Sequence, residues 1–349
     1  MSLREFLEGE IRAGAMPAAA WWVGDGTRTI DEGAAGHAVL TPHEEKAGSD
    51  TAFDLASLTK PIATALVALL EGLELEATLG ACFPELARGP FADRTLRETG
   101  THRARLPAWL PLYAWGSTRE AYVAAIASAK AGPAGETVYS DLGYLLLGFA
   151  LASSSGRPLD RLFDERIAKP LALERTGFPG TGSRFARAAA TERGNAYERR
   201  LAGDLAAGCE FRSALIRGHV HDGNAWALGG VAGHAGLFGT AKEVGSITRA
   251  LLDPRPLGVG AELLTPLWAA DTAPGARTFG FHRAADTESV RGVLPDDAVG
   301  HFGFTGTSLW IDRSRPRIYV LLTNRVHPDV PGVDFTRTRR GFHERAAAL

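Results

Sequence analysis

The sequence predicts an α/β chain of the α+β type: an antiparallel sheet built from both chain ends and flanked by helices, with a mostly helical insert between them. Two observations carry this. Strand-like runs fall near the two ends, whereas the middle is rich in alanine and leucine and reads as helix and loop. The 349 residues are also too many for one simple core and enough for two packed lobes. Within one unit spanning 1–349, the pattern implies a sheet part of about 1–75 and 275–349 and a helical part of about 76–274.

Each element has its own signal. A charged, amphipathic run from about Leu3 to Ala13 reads as a helix. Ala18 to Gly24, with Trp21 and Trp22, reads as a strand; Asp25-Gly26 supplies a turn, and a second strand runs from about Thr29 to Gly36. Thr51 to Ala56 is extended. From Ser57 through Leu70 the chain reads as a buried helix, with Pro61 in the first turn, where its missing N–H costs nothing. Helix and loop then fill about Leu73 to Pro274. There, Leu142 to Ala152 is a buried helix ending at Gly156, and Pro158 to Ala168 and Thr240 to Leu252 are further helices. Thr240-Ala241-Lys242-Glu243 has the form of a capping box. Strands return at Ala298–Thr305, Ser308–Asp312 and Arg317–Leu322, before a basic helix from about Phe335 to Ala348.

Composition excludes several classes. A net charge of −2 gives no field that steers the chain to nucleic acid or an anionic membrane. Cys82 and Cys209 form no ligand cluster and no disulfide framework, and neither metal nor cofactor is expected. No run approaches 18 apolar residues, and Met1 to Leu7 does not read as a signal peptide. The expected location is the cytoplasm, with the periplasm open for a trimmed chain.

The chemistry concentrates at Ser57-Leu58-Thr59-Lys60. Residues i and i+3 share a helix face, so Ser57 and Lys60 point the same way at a helix N-terminus, where the dipole favours negative charge. A serine hydroxyl is a poor nucleophile and needs an adjacent base. Lys60 is one candidate. Tyr139, on the turn before the Leu142 helix in Val138-Tyr139-Ser140-Asp141, is the other. A third element, Gly300-His301-Phe302-Gly303-Phe304-Thr305-Gly306-Thr307, is a glycine-bearing strand against which a substrate can lie. The glycines of Gly229 to Gly239 lack the G-K-[ST] ending of a phosphate loop and read as a turn-rich wall. His221-Asp222-Gly223-Asn224 and His234 fit no standard ligand spacing and read as satisfied loop residues. Trp109, Tyr113 and Trp115 have two readings, the mouth of a pocket or ordinary packing.

These three elements, in this order, resemble the serine β-lactamase and penicillin-binding-protein superfamily, with its S-x-x-K, Y-x-N and K-T-G or H-x-G motifs. The nearer likeness is to the class C-like branch with its esterases and D-amino-peptidase relatives. The likeness extends over nearly the whole chain, including Thr101-His102…Leu106-Pro107, Ile167 to Leu171, Gly229 to Phe238 and Gly303 to Trp310. The resemblance implies a β-lactamase/transpeptidase-like fold and a serine hydrolase that works through an acyl-enzyme on a small ester or amide. In it, Ser57 is the acylated nucleophile, and Lys60 and Tyr139 share the general-base work. The backbone N–H groups of Ser57 and Phe304 form the oxyanion hole. Asp141, His301 and Gly303 lie at substrate-binding positions.

The departures from the motifs bear on the substrate. Asp141 replaces an asparagine; a carboxylate only accepts hydrogen bonds, so it holds Lys60 charged and cannot grip an acylamino group. Capping its own helix is the compatible alternative. His301 and Phe302 replace lysine and threonine, removing a fixed cation and a hydroxyl that a β-lactam uses. At about 1.5–3 kcal/mol per hydrogen bond to a charged group, these losses favour esters or uncharged substrates. Arg103-Ala104-Arg105 stands where Thr-Ser-Gly is common, giving that loop another shape and a cationic rim. The other functions consistent with the sequence are a D-amino-acid peptidase or penicillin-binding protein, and a catalytically silent binding protein on the same fold.

Overall fold

The computed structural model describes residues 1–179, 185–270, 275–330, 332 and 334–349; the expected boundary at Pro274 lies outside them. Among the described residues nine strands occur: β1 (Ala18–Asp25), β2 (Thr29–Val39), β3 (Glu45–Lys46), β4 (Phe53–Asp54), β5 (Phe238–Gly239), β6 (His282–Arg283), β7 (Val299–Phe302), β8 (Ser308–Asp312) and β9 (Arg317–Thr323). Seven form one antiparallel sheet in the order β3-β2-β1-β9-β8-β7-β6. Its centre joins the two ends of the sequence: β1 pairs with β9, with Trp22 opposite Val320. The sheet from both chain ends is as the sequence predicts.

Alternation along β1 explains why it is apolar throughout. Ala18, Ala20 and Trp22 enter the larger core with Ile318, Val320 and Leu322 of β9. Ala19, Trp21 and Val23 enter a second core with Leu3, Leu7 and Phe342 of the terminal helices, Leu3–Arg12 and Thr336–Ala347. Successive side chains point to opposite faces, so a strand covered on both sides needs two apolar sets. The helix Ala241–Leu252 lies on the larger-core face, against β1 and β9. A Cβ on Gly245 would stand 2.6 Å from the Trp22 ring, which is why only glycine lets the helix come so close.

Three expectations need correction. The Ser57 segment is not one regular helix. It is a tight turn at Ala56–Leu58, a wide π turn at Lys60–Ala65, and an α-helix only at Leu66–Leu70. Pro61 lacks the N–H for a regular ladder where the register changes. The third-motif strand stops at Phe302 rather than Thr305; the chain turns over Gly303–Gly306, where Gly306 has φ +95°. Thr240 caps its helix through Glu243 N–H, but the Glu243 carboxylate accepts from the N–H groups of Glu174 and Arg175, so the capping box is half formed. Within the segment read as mostly helix and loop, the two-residue β5 pairs with β4, which leads into Ser57.

Candidate active site

The nucleophile turn is held from three directions. Leu55 N–H donates to the Leu237 carbonyl (2.9 Å), extending the β4–β5 pairing. The buried Asp54 carboxylate accepts from Ala56 N–H and from His221 N–H, each at 2.8 Å. Thr305 donates to the Asp54 carbonyl (2.8 Å) and Thr307 to that of Leu55 (3.2 Å), tying the third motif to the turn. Gly303 permits this approach, because a Cβ there would lie 2.0 Å from Thr307 Oγ1 and 2.8 Å from the Leu55 carbonyl. Ala56 is forced to φ +48°, a left-handed conformation rare for alanine, immediately before Ser57.

Lys60 is fully buried. Nζ donates to Ser57 Oγ (2.8 Å) and to the His234 carbonyl (3.0 Å), and forms an ion pair with Asp141 Oδ1 (2.6 Å). Burial acts to lower its pKa, but the Asp141 charge and the Tyr139 oxygen outweigh it, and the net shift is upward. Lys60 is therefore an ammonium. Its Nζ also lies 5.1 Å from the centre of the Tyr139 ring. Burial raises the Tyr139 pKa, with Lys60 and Ser57 pulling the other way through hydrogen bonds, so Tyr139 rests as a neutral phenol within reach of both.

The turn carrying Tyr139 is set by its neighbours. Ser140, not Asp141, caps the helix Asp141–Ser155, accepting from Gly143 N–H (3.2 Å). That leaves the Asp141 side chain to Lys60. Ser140 N–H donates to His102 Nδ1 (2.9 Å), and the His102 ring packs 4.7 Å from Tyr139. The Thr101-His102 segment thus acts as the brace of the Tyr139 turn. Arg105 donates to the Gly132 carbonyl (2.8 Å), and neither it nor Arg103 lines the cavity beside Ser57, so the expected cationic rim is not there.

That cavity has a volume of about 220 Å³. Ser57, Asp141 and Phe304 line it, as does Trp109; Tyr113 and Trp115 line a neighbouring cavity instead. Ser57 and Phe304 meet at the same space, as an oxyanion hole requires, with Phe304 at the tip of the third-motif turn. His301 and Gly303 do not line it. His301 stands behind Tyr139, with ring centres 5.8 Å apart, and its Nδ1–H donates to the Phe302 carbonyl (2.7 Å). Gly303 spends its N–H on Thr307. The Gly229–Gly239 segment does form a wall, through Gly233 and His234 carbonyls that accept from Thr64 and Lys60. Residues without a sequence motif complete the surroundings: Glu198 and Asp222 on the cavity, and Arg277, 5.2 Å from the Tyr139 ring. Apart from Asp222, which the sequence placed among satisfied loop residues, these lie in segments with no periodic or motif signal.

A row of Ser, Lys and Tyr beside a cavity is an arrangement that can carry acyl transfer of the serine type. The sequence profile of the family described as Beta-lactamase matches residues 3–340, and the chain belongs to that family of serine hydrolases. A protein of Escherichia coli K12, named as a proposed D-alanyl-D-alanine carboxypeptidase, is 30% identical over 330 residues, 84% of this chain and 73% of that protein. Other curated relatives are matched over only about half their length. Among solved structures, EstCE1, described as a hydrolase with promiscuous acyltransferase activity, aligns with a TM-score of 0.74 at 20% identity, covering 99% of this chain and 97% of its own. A class C β-lactamase variant aligns with a TM-score of 0.74 at 16% identity, over 99% and 96%. No helix among the described residues is long and apolar enough to cross a membrane.

Proposed function

We propose that this chain hydrolyses a small ester or uncharged amide through an acyl-enzyme on Ser57. The observation that carries the reading is the contact of Lys60 Nζ with Ser57 Oγ at 2.8 Å and Asp141 at 2.6 Å, with Tyr139 packed beside it. Ser57 Oγ accepts from Lys60, so its own proton is left to donate, and the Tyr139 oxygen is the acceptor within reach. The reactive form is the one in which the Tyr139–Lys60 pair has released one proton to solvent, leaving a tyrosine oxygen held by the Lys60 ammonium; Ser57 attacks the carbonyl carbon as its proton passes to that oxygen. The carbonyl oxygen takes negative charge against the N–H groups of Ser57 and Phe304. The same pair returns the proton to the leaving group, and water reverses the sequence to release the acid.

The charge of the cavity argues for the substrate. Among the described residues its lining has no lysine or arginine, whereas Asp54, Asp141, Glu198 and Asp222 all reach it. The carboxylate of a penicillin or of a D-Ala-D-Ala terminus meets no fixed cation there. The peptidase reading suggested by the Escherichia coli relative is therefore the weaker one. Treatment with a fluorophosphonate, followed by peptide mass spectrometry, tests the assignment. The adduct is expected on the Ser57 peptide and absent from Ser57→Ala. An adduct on Ser140 or Ser308, or none on folded protein, would overturn it.

A further inference from the structure

The third-motif turn is held from the C-terminal helix as well as from the Ser57 segment. Arg339 lies near the start of the helix Thr336–Ala347, and its Nη2 donates to the Gly303 carbonyl (2.8 Å) and to the Thr307 carbonyl (3.3 Å). The same two residues close the turn on itself: Gly303 N–H donates to the Thr307 carbonyl (2.9 Å), and Gly306 N–H to the Gly303 carbonyl (3.0 Å). One guanidinium thus clamps both ends of the loop that carries Phe304. The Phe302 ring, centred 4.4 Å from the guanidinium carbon, and the Phe335 ring, at 5.4 Å, hold it in place. Phe302 stands where the related motif has threonine, so this departure supplies a face for the cation. Burial first, and then the Arg325 charge, lowers the Arg339 pKa to about 9 against the pull of Asp334, and the group is charged at neutral pH. Its position matters because the Gly303 carbonyl and Phe304 N–H belong to one planar peptide unit. A cation on the oxygen draws electron density from the nitrogen, and hydrogen bonds in series polarise one another. On the acyl-enzyme reading, Phe304 N–H receives the negative oxygen of the tetrahedral intermediate, where donors fixed in advance count most.

We propose that Arg339 is a positioning residue for the oxyanion hole: by gripping the Gly303 carbonyl it fixes and polarises the Gly303–Phe304 peptide. This rests on the reading of Ser57 as the acylated nucleophile and of Phe304 N–H as an oxyanion donor. The test compares the wild type with Arg339→Met, which keeps an apolar stem against the two rings, and Arg339→Lys, which keeps the cation. Folded sites are counted by fluorophosphonate labelling run to completion, and turnover of p-nitrophenyl acetate at pH 7 is expressed per site. Arg339→Met is expected to lower kcat by at least about tenfold, part of the roughly 10²–10³ lost with a whole oxyanion donor. KM should move by less than about twofold, because the interaction strengthens only in the transition state. Arg339→Lys should return kcat to within about threefold of the wild type, since the cation is what polarises the peptide. An unchanged per-site kcat in Arg339→Met, or equal losses in the two variants, overturns the proposal and leaves the arginine a packing residue. Should Arg339→Met not fold, the neutral Arg339→Gln takes its place with the same expected loss. A second measurement needs no turnover. In protein labelled with 15N-phenylalanine, the Phe304 resonance, assigned by its loss in Phe304→Leu, should move upfield when the cation is removed; an unmoved resonance overturns the polarisation. If the wild type neither takes the label nor cleaves the ester, the hydrolase reading fails separately, and the Phe304 resonance alone decides what Arg339 does to the peptide.

Discussion

The two sides of the Ser57–Lys60–Tyr139 row carry opposite charge. In front, four carboxylates line the cavity. Behind, Tyr139 packs against the rings of His102, His282 and His301 and beneath the Arg277 guanidinium, which contacts His282. Burial first, and then the neighbouring cations Lys60 and Arg277, hold all three histidines well below their ordinary range, so they are neutral. Lys60 takes its counter-ion from the front, and Tyr139 takes its packing from the back. The two groups proposed to share the serine proton therefore answer to different surroundings, which lets one rest as a cation and the other as a neutral phenol, its ring centre 5.1 Å away.

The widest break in this comparison is removal of either member. Lys60→Ala and Tyr139→Phe are each expected to lower kcat on a short ester by at least about 10²-fold, with folding intact by circular dichroism. Near-normal turnover by Tyr139→Phe would leave the tyrosine a packing residue and Lys60 the sole base. A smaller effect isolates the front. Asp141→Asn restores a side-chain donor and loosens the hold on Lys60, so the ester preference over a chromogenic cephalosporin, read as a ratio of kcat/KM values, should narrow by about tenfold. A ratio that widens or stays fixed means that Asp141 does not set the preference.

Stability against pH separates the two sides by sign. The histidines have folded pKa values below the unfolded 6.5, so the unfolded chain binds more protons in that window. Their contribution is complete above about pH 6.5 and is lost as pH falls. Asp54 and Glu198 are raised by burial, so the native state binds more protons. Their contribution is present below the ordinary carboxylate range and lost as pH rises through the folded values. Urea midpoints from pH 4.5 to 8.5 should therefore pass through a maximum. His301→Asn should flatten the acid side and Glu198→Gln the alkaline side, each by up to one proton. A variant that flattens the opposite side removes the distinction. The smallest expected effect is at Ala56→Gly, which relieves the φ +48° conformation and should add about 0.5–1 kcal/mol of stability in denaturant unfolding, less the gain in unfolded-chain entropy.

The legible part of this site was the part with local spacing. Ser57 and Lys60 lie one turn apart, Tyr139 precedes an unbroken apolar helix, and β8 runs over Ser308–Asp312, the residues read as a strand. What the sequence misjudged depends on distant partners. Lys60 meets Ser57, Asp141 and His234 together, and no local window contains the last two. His301 holds the third-motif position, yet the early turn at Gly303 puts Phe304 on the cavity and leaves the histidine behind Tyr139. Glu198 sits in a short helix, Ala196–Ala202, with no motif around it. Its surroundings, Asn195, Gly223, Tyr113 and Arg212, are brought together by the fold and by no local pattern.

The threonine ties of the nucleophile turn have a consequence for biosynthesis. Thr305 grips the Asp54 carbonyl from 251 residues further along the chain, and β1 finds its partner β9 about 300 residues away. Contacts of such sequence separation form late, because the loop they close must be ordered first. On a ribosome, Ser57 and Lys60 emerge well before Thr305 and β9. On the proposed reading, a nascent chain carrying the S-x-x-K segment is therefore expected to be inactive until those residues have been translated.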